Sequence, residues 1–166
     1  MNGKVHIAGI GGVGMSALAQ ALLDRGVAVT GSDRLLDSGD CTGTLSILRK
    51  QGVALYPQDG SGLDERTSRL VVSSAVENDN PDIVKAERLG IPVIHRAAEL
   101  SSLLEGRKLC AVSGTCGKST VTAMLGFMLA ELGADPLVIN GAGIAGWDAD
   151  GARVASVRSG EGKWAV

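Results

Sequence analysis

Aromatic side chains are nearly missing from this chain, which has two tryptophans, one tyrosine and one phenylalanine among 166 residues. Bases would find little to stack upon, and a net charge of -2 offers a phosphate backbone no basic footprint, so nucleic acid is not an expected partner. Cysteine is sparse as well. Cys41, Cys110 and Cys116 are odd in number and lack metal-ligand spacing, which argues against a disulfide framework or a zinc site and leaves reduced thiols. No run of 18 or more apolar residues is present, so neither a membrane span nor a membrane partner is expected. A strand-like VHIA lies where an export signal would carry a longer apolar region, and the cytoplasm is the expected compartment.

Glycine, in contrast, is abundant: 24 residues, about twice the usual share of roughly 7%. That density suggests backbone brought close to ligands. A hydrophobic content of 45% with 20% charge is that of an ordinary globular protein. The length suits one good core, or one domain and the opening of another.

Strands and helices alternate along the chain. Lys4 to Ala8 reads as a strand, Met15 to Leu23 as a helix closed by Gly26, Val27 to Thr30 as a strand, Thr44 to Lys50 as a short helix and Gly52 to Leu55 as a strand. Arg69 to Ser73 reads as a buried strand, Pro81 to Leu89 as a helix stopped by Gly90, Ile91 to Ile94 as a strand and Ala97 to Leu104 as a helix. This alternation predicts a parallel sheet covered by helices, an α/β fold of Rossmann-like type. A polar break at Glu105 to Lys108 sets a boundary, giving one unit over 1–106 and a second over 107–166. The second opens with an apolar strand (Leu109 to Val112), a glycine turn, a helix (Lys118 to Leu132) and a strand (Pro136 to Asn140). From Gly141 onward the composition predicts irregular structure, and Lys163 to Val166 reads as a strand just starting. The expectation is the truncated start of a phosphate-loop α/β domain.

Two glycine turns carry the chemistry. Gly9, Gly11 and Gly14 satisfy GxGxxG between a strand and a helix, with Asp33 at the end of the next strand. Glycines permit the tight turn and let backbone N–H groups and the positive helix end approach a diphosphate, while the acid accepts from sugar hydroxyls. Taken alone, this motif favours NAD and an oxidoreductase, although a purely structural glycine turn fits too. The second turn, GTCGKST at 114–120, follows an apolar strand and precedes a helix. Gly114, Thr115, Cys116, Gly117, Lys118, Ser119 and Thr120 form a candidate nest for ATP phosphates, in which Lys118 neutralises the transferred phosphoryl group and Ser119 reaches a magnesium ion. A dehydrogenase has no evident use for this second site. Cys116 reads as a small residue filling the turn, with a thiol of lowered pKa as the alternative.

The ordered strings HIAGIGGVGMSALA, VTGSD, VVSSAVENDNPDIVKA, GIPVIHRAAEL, VSGTCGKSTVTAML and GADPLVINGAG resemble the Mur ligase family over nearly the whole length, above all the type that joins L-alanine to UDP-N-acetylmuramate. The resemblance implies that the first turn (Gly9, Ile10, Gly11, Gly12, Val13, Gly14, Met15 and Ser16) holds a UDP-sugar rather than NAD. Asp33 would sit near the uridine, and Ser73, Ser74, Asn80, His95 and Arg96 would line the same cleft. Asn80 before Pro81 also reads as a helix cap in its own right, and Arg96 suits a diphosphate or a carboxylate. The implied activity is ATP- and magnesium-dependent amide formation in peptidoglycan-precursor synthesis, through an acyl phosphate that the amine of L-alanine displaces. A family member that recycles a peptide onto UDP-N-acetylmuramate is the near alternative, and a non-catalytic nucleotide-binding module the distant one. Cys116 stands where the family has histidine, and Ser119 where it has threonine. Without the acidic segment and the amino-acid domain that the family carries further on, the 166 residues are expected to be inactive as a ligase by themselves.

Overall fold

The computed structural model describes residues 3–148 and 151–166. β1 (Lys4–Ala8) is buried from Val5 to Ala8, the mark of a strand covered on both faces. Its alternation divides the molecule: Val5 and Ile7 join an apolar core with α1 (Val13–Asp24), while Ala8 joins a second core on the opposite face. α1 is buried continuously from Met15 to Leu22, so it packs as an interior helix, and Gly26 at φ 72° supports the turn out of it.

β2 (Val29–Ser32) follows, then α2 (Arg34–Asp37), α3 (Gly43–Lys50) and β3 (Ala54–Tyr56). The chain then crosses back to β4 (Thr67–Val72), α4 (Pro81–Leu89), β5 (Val93–His95) and α5 (Arg96–Leu104). α4 is delimited by local chemistry: Asn80 caps it, Pro81 takes its first position, and Gly90 at φ 68° ends it. The five strands pair in parallel in the order β3-β2-β1-β4-β5. Strand order reverses between β1 and β4, which opens a crevice at their carboxyl ends, the usual ligand position of such sheets.

The remaining elements are β6 (Lys108–Leu109), α6 (Lys118–Glu131), β7 (Leu137–Ile139), β8 (Val157–Ser159) and β9 (Trp164–Ala165). They form a four-stranded sheet ordered β6-β9-β7-β8, in which β8 alone is antiparallel to its neighbour. Gly126 lets α6 approach β7: a Cβ there would stand 2.8 Å from Val138 Cγ2. The opposite face of α6, with Val121, Met124, Phe127 and Met128, is exposed.

The two sheets are joined rather than strung on a linker. Val154 and Val157 enter the same core as Leu18 and Leu22 of α1. Buried Gln20 exchanges hydrogen bonds with Gln51 at 2.9 and 2.8 Å and accepts one from the Val154 N–H at 3.1 Å. Asp24 accepts from Arg153 and Ser159.

Several sequence expectations are corrected. The segment expected to be irregular after Gly141 contains β8, because Val157 is buried against α1 and β7 offers it a free edge. The strand expected over Leu109 to Val112 is confined to Lys108–Leu109 and exposed, since only β9 pairs with it. α2 has no counterpart in the sequence reading; at four residues it shows no periodicity.

Candidate functional site

The crevice between β1 and β4 holds a cavity of about 560 Å³. Gly9, Gly11, Gly12, Val13, Gly14 and Met15 line one wall, Asp33 and Ser73 end their strands in it, and Asn80 and Arg96 enter from α4 and α5. Gly9 adopts φ 68°, which suits glycine, and turns the chain out of β1.

Several amides of the turn are already engaged. Ile10 N–H donates to Ser32 O at 3.0 Å, Gly12 N–H to Gly9 O at 3.1 Å, and Gly11 N–H to Asp33 Oδ2 at 2.8 Å. The N–H groups of Val13 and Gly14 have no intramolecular acceptor among the described residues. Gly12, the residue before α1, supplies no side-chain cap. The free amides, the ones that could cradle an anion, therefore lie in the first turn of α1 rather than along the whole glycine string.

Asp33 does more structural work than the fingerprint assigns it. Besides Gly11, its Oδ1 accepts from Leu35 N–H at 3.1 Å and so caps α2. The carboxylate still lines the cavity, with Gly11 held so close that a Cβ there would lie 2.8 Å from Oδ2. Asn80 also has two contacts: its Oδ1 accepts from Asp82 N–H at 2.9 Å as a cap, and its Nδ2 donates to Gln58 Oε1 at 3.2 Å.

Four expected residues fall outside this cavity. Ile10 is fully buried, its side chain packed over Gly31. Ser16 is buried and donates to Val13 O at 3.1 Å, one turn below the cradle. His95 is exposed and caps α5 through Nδ1, which accepts from Ala97 N–H at 3.2 Å. Ser74 is exposed beyond the end of β4. Both serines lie past β4, where the chain turns, and of the two Ser73 lines the cavity.

Sequence reasoning missed Arg34, Leu35, Gln58, Ala75 and Val76, which also line the cavity. Only Arg34 had a signal, its place beside Asp33. Gln58 arrives from the loop after β3 and is held there by the long-range pairing of β3 with β2. Behind it, fully buried Asp82 accepts from Ser32 and from Gly60 N–H at 3.0 Å, tying β2, the Gln58 loop and α4 together. Burial raises the Asp82 carboxyl pKa above the usual range, against the opposing hydrogen bonds from Ser32 and Gly60.

In the second unit, Gly114 and Gly117 take φ 151° and 76°, and Gly117 precedes α6 without a side-chain cap. No N–H from Gly114 to Thr120 has an intramolecular acceptor among the described residues. Lys118 Nζ folds back onto the loop, donating to Gly114 O at 2.7 Å and Thr115 O at 3.3 Å. Thr115 Oγ1 and Cys116 Sγ are 3.8 Å apart, and Cys116 is exposed. Ser119 Oγ lies beside Gly141, 3.1 Å from where a Cβ on that glycine would stand. Among the described residues no group of three His, Cys, Asp or Glu side chains could hold a metal.

The chain is 41% identical over 143 residues to a UDP-N-acetylmuramate–L-alanine ligase of Nocardioides sp., a match covering 86% of this chain and 31% of that protein. A ligase of the same name from Carboxydothermus hydrogenoformans is 41% identical over 138 residues, covering 82% and 29%. The chain thus spans about a third of the length of these relatives. The crystal structure of the UDP-N-acetylmuramate-alanine ligase of Thermotoga maritima superposes with a TM-score of 0.83 at 30% identity, over 98% of this chain and 36% of that one. A murein peptide ligase from Psychrobacter arcticus shares the fold, with a TM-score of 0.83 at 24% identity and coverage of 99% and 37%. The family model described as "Mur ligase family, catalytic domain" matches residues 4–108, the whole of the first sheet and its helices, and the chain belongs to the Mur ligase family.

Proposed function

We propose that this chain carries two of the sites of an ATP-dependent ligase that joins L-alanine to UDP-N-acetylmuramate. In this reading residues 1–106 hold the sugar nucleotide, with its diphosphate on the first turn of α1 and its uridine side toward Asp33, Gln58 and Asn80. Residues 107–166 supply the phosphate loop. The observation that carries the reading is that two helices in different units, α1 and α6, both start at a glycine without a side-chain cap, each with unsatisfied N–H groups. By comparison, α2, α4 and α5 are closed by Asp33, Asn80 and His95, and α3, which follows Thr42 and also lacks a side-chain cap, does not line the crevice. Two uncapped helix ends entered through glycine suit two phosphate-bearing ligands better than one dinucleotide.

The chemistry follows from charge. The muramate carboxylate attacks the γ-phosphorus of ATP, ADP leaves, and the amine of L-alanine then displaces phosphate from the acyl phosphate and gives up a proton. Anionic reactants must be brought together, so the free amides of the loop and Lys118 spread the phosphate charge while Ser119 offers a hydroxyl to magnesium. The curled Lys118 is available for this role, because its present partners are loop carbonyls and not a carboxylate. The names of the relatives favour L-alanine over a recycled peptide, and substrates made in the cytoplasm favour that compartment. Among the described residues, no helix is long and apolar enough to cross a membrane.

Calorimetric titration with UDP-N-acetylmuramate, Mg-ATP and NAD tests the proposal. Saturable binding of the first two is expected, with Lys118→Ala abolishing the ATP isotherm and sparing the sugar nucleotide. Binding of NAD in place of the sugar nucleotide would refute it.

A further inference from the structure

Beside the main cavity lies a smaller one of about 180 Å³, and the two share Gly14 and Arg96. Leu18 and Ile139 supply apolar wall, and Asn140 and Gly141 of the second unit close the far end. Arg96 is the single charged residue lining this space. Its guanidinium lies against Gly14, with Nη1 2.0 Å from where a Cβ would be. Arg34, the other arginine of the main cavity, meets Glu77 at 3.4 Å, whereas Arg96 has no ion-pair partner among the described residues. The closed end leads toward the phosphate loop, because Gly141 is the residue in contact range of Ser119 Oγ.

We propose that the small cavity receives the acid arm of the sugar nucleotide and that Arg96 is its counter-charge. Arg96 thereby selects a carboxylate-bearing sugar and aims that carboxylate at the Ser119 end of the phosphate loop. This rests on the sugar-nucleotide reading above and deepens it. A diphosphate is already served by the Val13 and Gly14 amides at the start of α1. A second anionic group on the same ligand needs its own partner, and in this space Arg96 alone can provide one. The cavity is too small for a nucleoside but ample for a short acid, and a guanidinium fork matches the two oxygens of a carboxylate.

UDP-N-acetylmuramate and UDP-N-acetylglucosamine differ only in the acid arm, so titrating both into the 166-residue chain isolates its contribution. The wild-type chain is expected to prefer the acid about tenfold. Arg96→Gln should bring the two affinities within about twofold, and Arg96→Lys should retain part of the preference. A merely structural role would not alter the ratio between ligands, and thermal melts of each variant report folding separately. Equal weakening of both ligands in Arg96→Gln would place Arg96 on the diphosphate and overturn the proposal, as would a wild-type chain without preference. Failure of the wild-type chain to bind either compound would instead defeat the sugar-nucleotide reading, and the role of Arg96 with it.

Discussion

His6 is fully buried on β1, with Nδ1 2.8 Å from Thr30 Oγ1 and Nε2 left without a partner. Burial, aided by the nearby Lys4 ammonium, pushes its pKa down from 6.5 to about 4. The unfolded chain therefore binds a proton that the folded one refuses, and stability falls as the pH drops from 6.5 toward 4, levelling off below. The histidine is expected to account for a loss of about 2 kcal/mol between pH 7 and 5. Urea unfolding at the two pH values, for the wild-type chain and His6→Gln, checks this; equal acid sensitivity in both chains would contradict it. Asp82 has the opposite sign, since its raised pKa gives a contribution present at low pH and lost as pH rises through the folded value. Asp82→Asn, which keeps an oxygen for the Gly60 N–H, is expected to be tolerated at neutral pH. Asp82→Ala should cost about 1–3 kcal/mol in the same assay by stranding its donors. Neither role is legible in the sequence, because a histidine in VHIA and an aspartate after Asn-Pro look alike whether buried or exposed.

Elements whose ends are set by local chemistry were readable in advance. α4, between Asn80-Pro81 and Gly90, falls where the sequence puts it, and β1 with its glycine turn and helix is likewise as expected. Elements held by distant partners were not: β8 exists through its pairing with β7 and its burial on α1. α5 illustrates a long-range anchor on a readable helix. Glu99, nearly buried, receives both Arg69 Nε and Nη2 at 2.7 and 2.6 Å, clamping α5 to β4 one turn after Arg96. Removing one member of such a pair leaves the other partly desolvated. Glu99→Ala is expected to lower stability by about 2–4 kcal/mol in denaturant titration. A loss no larger than that of an exposed ion pair would show that the clamp is not needed.

At the scale of the whole molecule, the contact between α1 and residues 152–159 decides how the two units behave. Gln20, Gln51 and Asp24 satisfy one another and the incoming backbone, and Val154 and Val157 complete the first core. A shared core implies shared cooperativity. Both tryptophans, Trp147 and Trp164, belong to the second unit, so their fluorescence reports on it, while far-ultraviolet circular dichroism is dominated by the helices of both. The two probes are expected to give one coincident thermal transition. Midpoints separated by several degrees would show that the units unfold independently.

The sequence by itself determined the α/β class, the two glycine turns, the helix after each and the strand before the first, because these depend on hydrophobic period, backbone freedom at glycine and local capping. Only the tertiary structure decided which amides in those turns remain free, that Asp33 accepts from the Gly11 N–H, and that Gln58 reaches the crevice. Those outcomes arise from contacts between residues far apart along the chain, and such contacts exist only after the parallel strands have paired and the helices have closed over them.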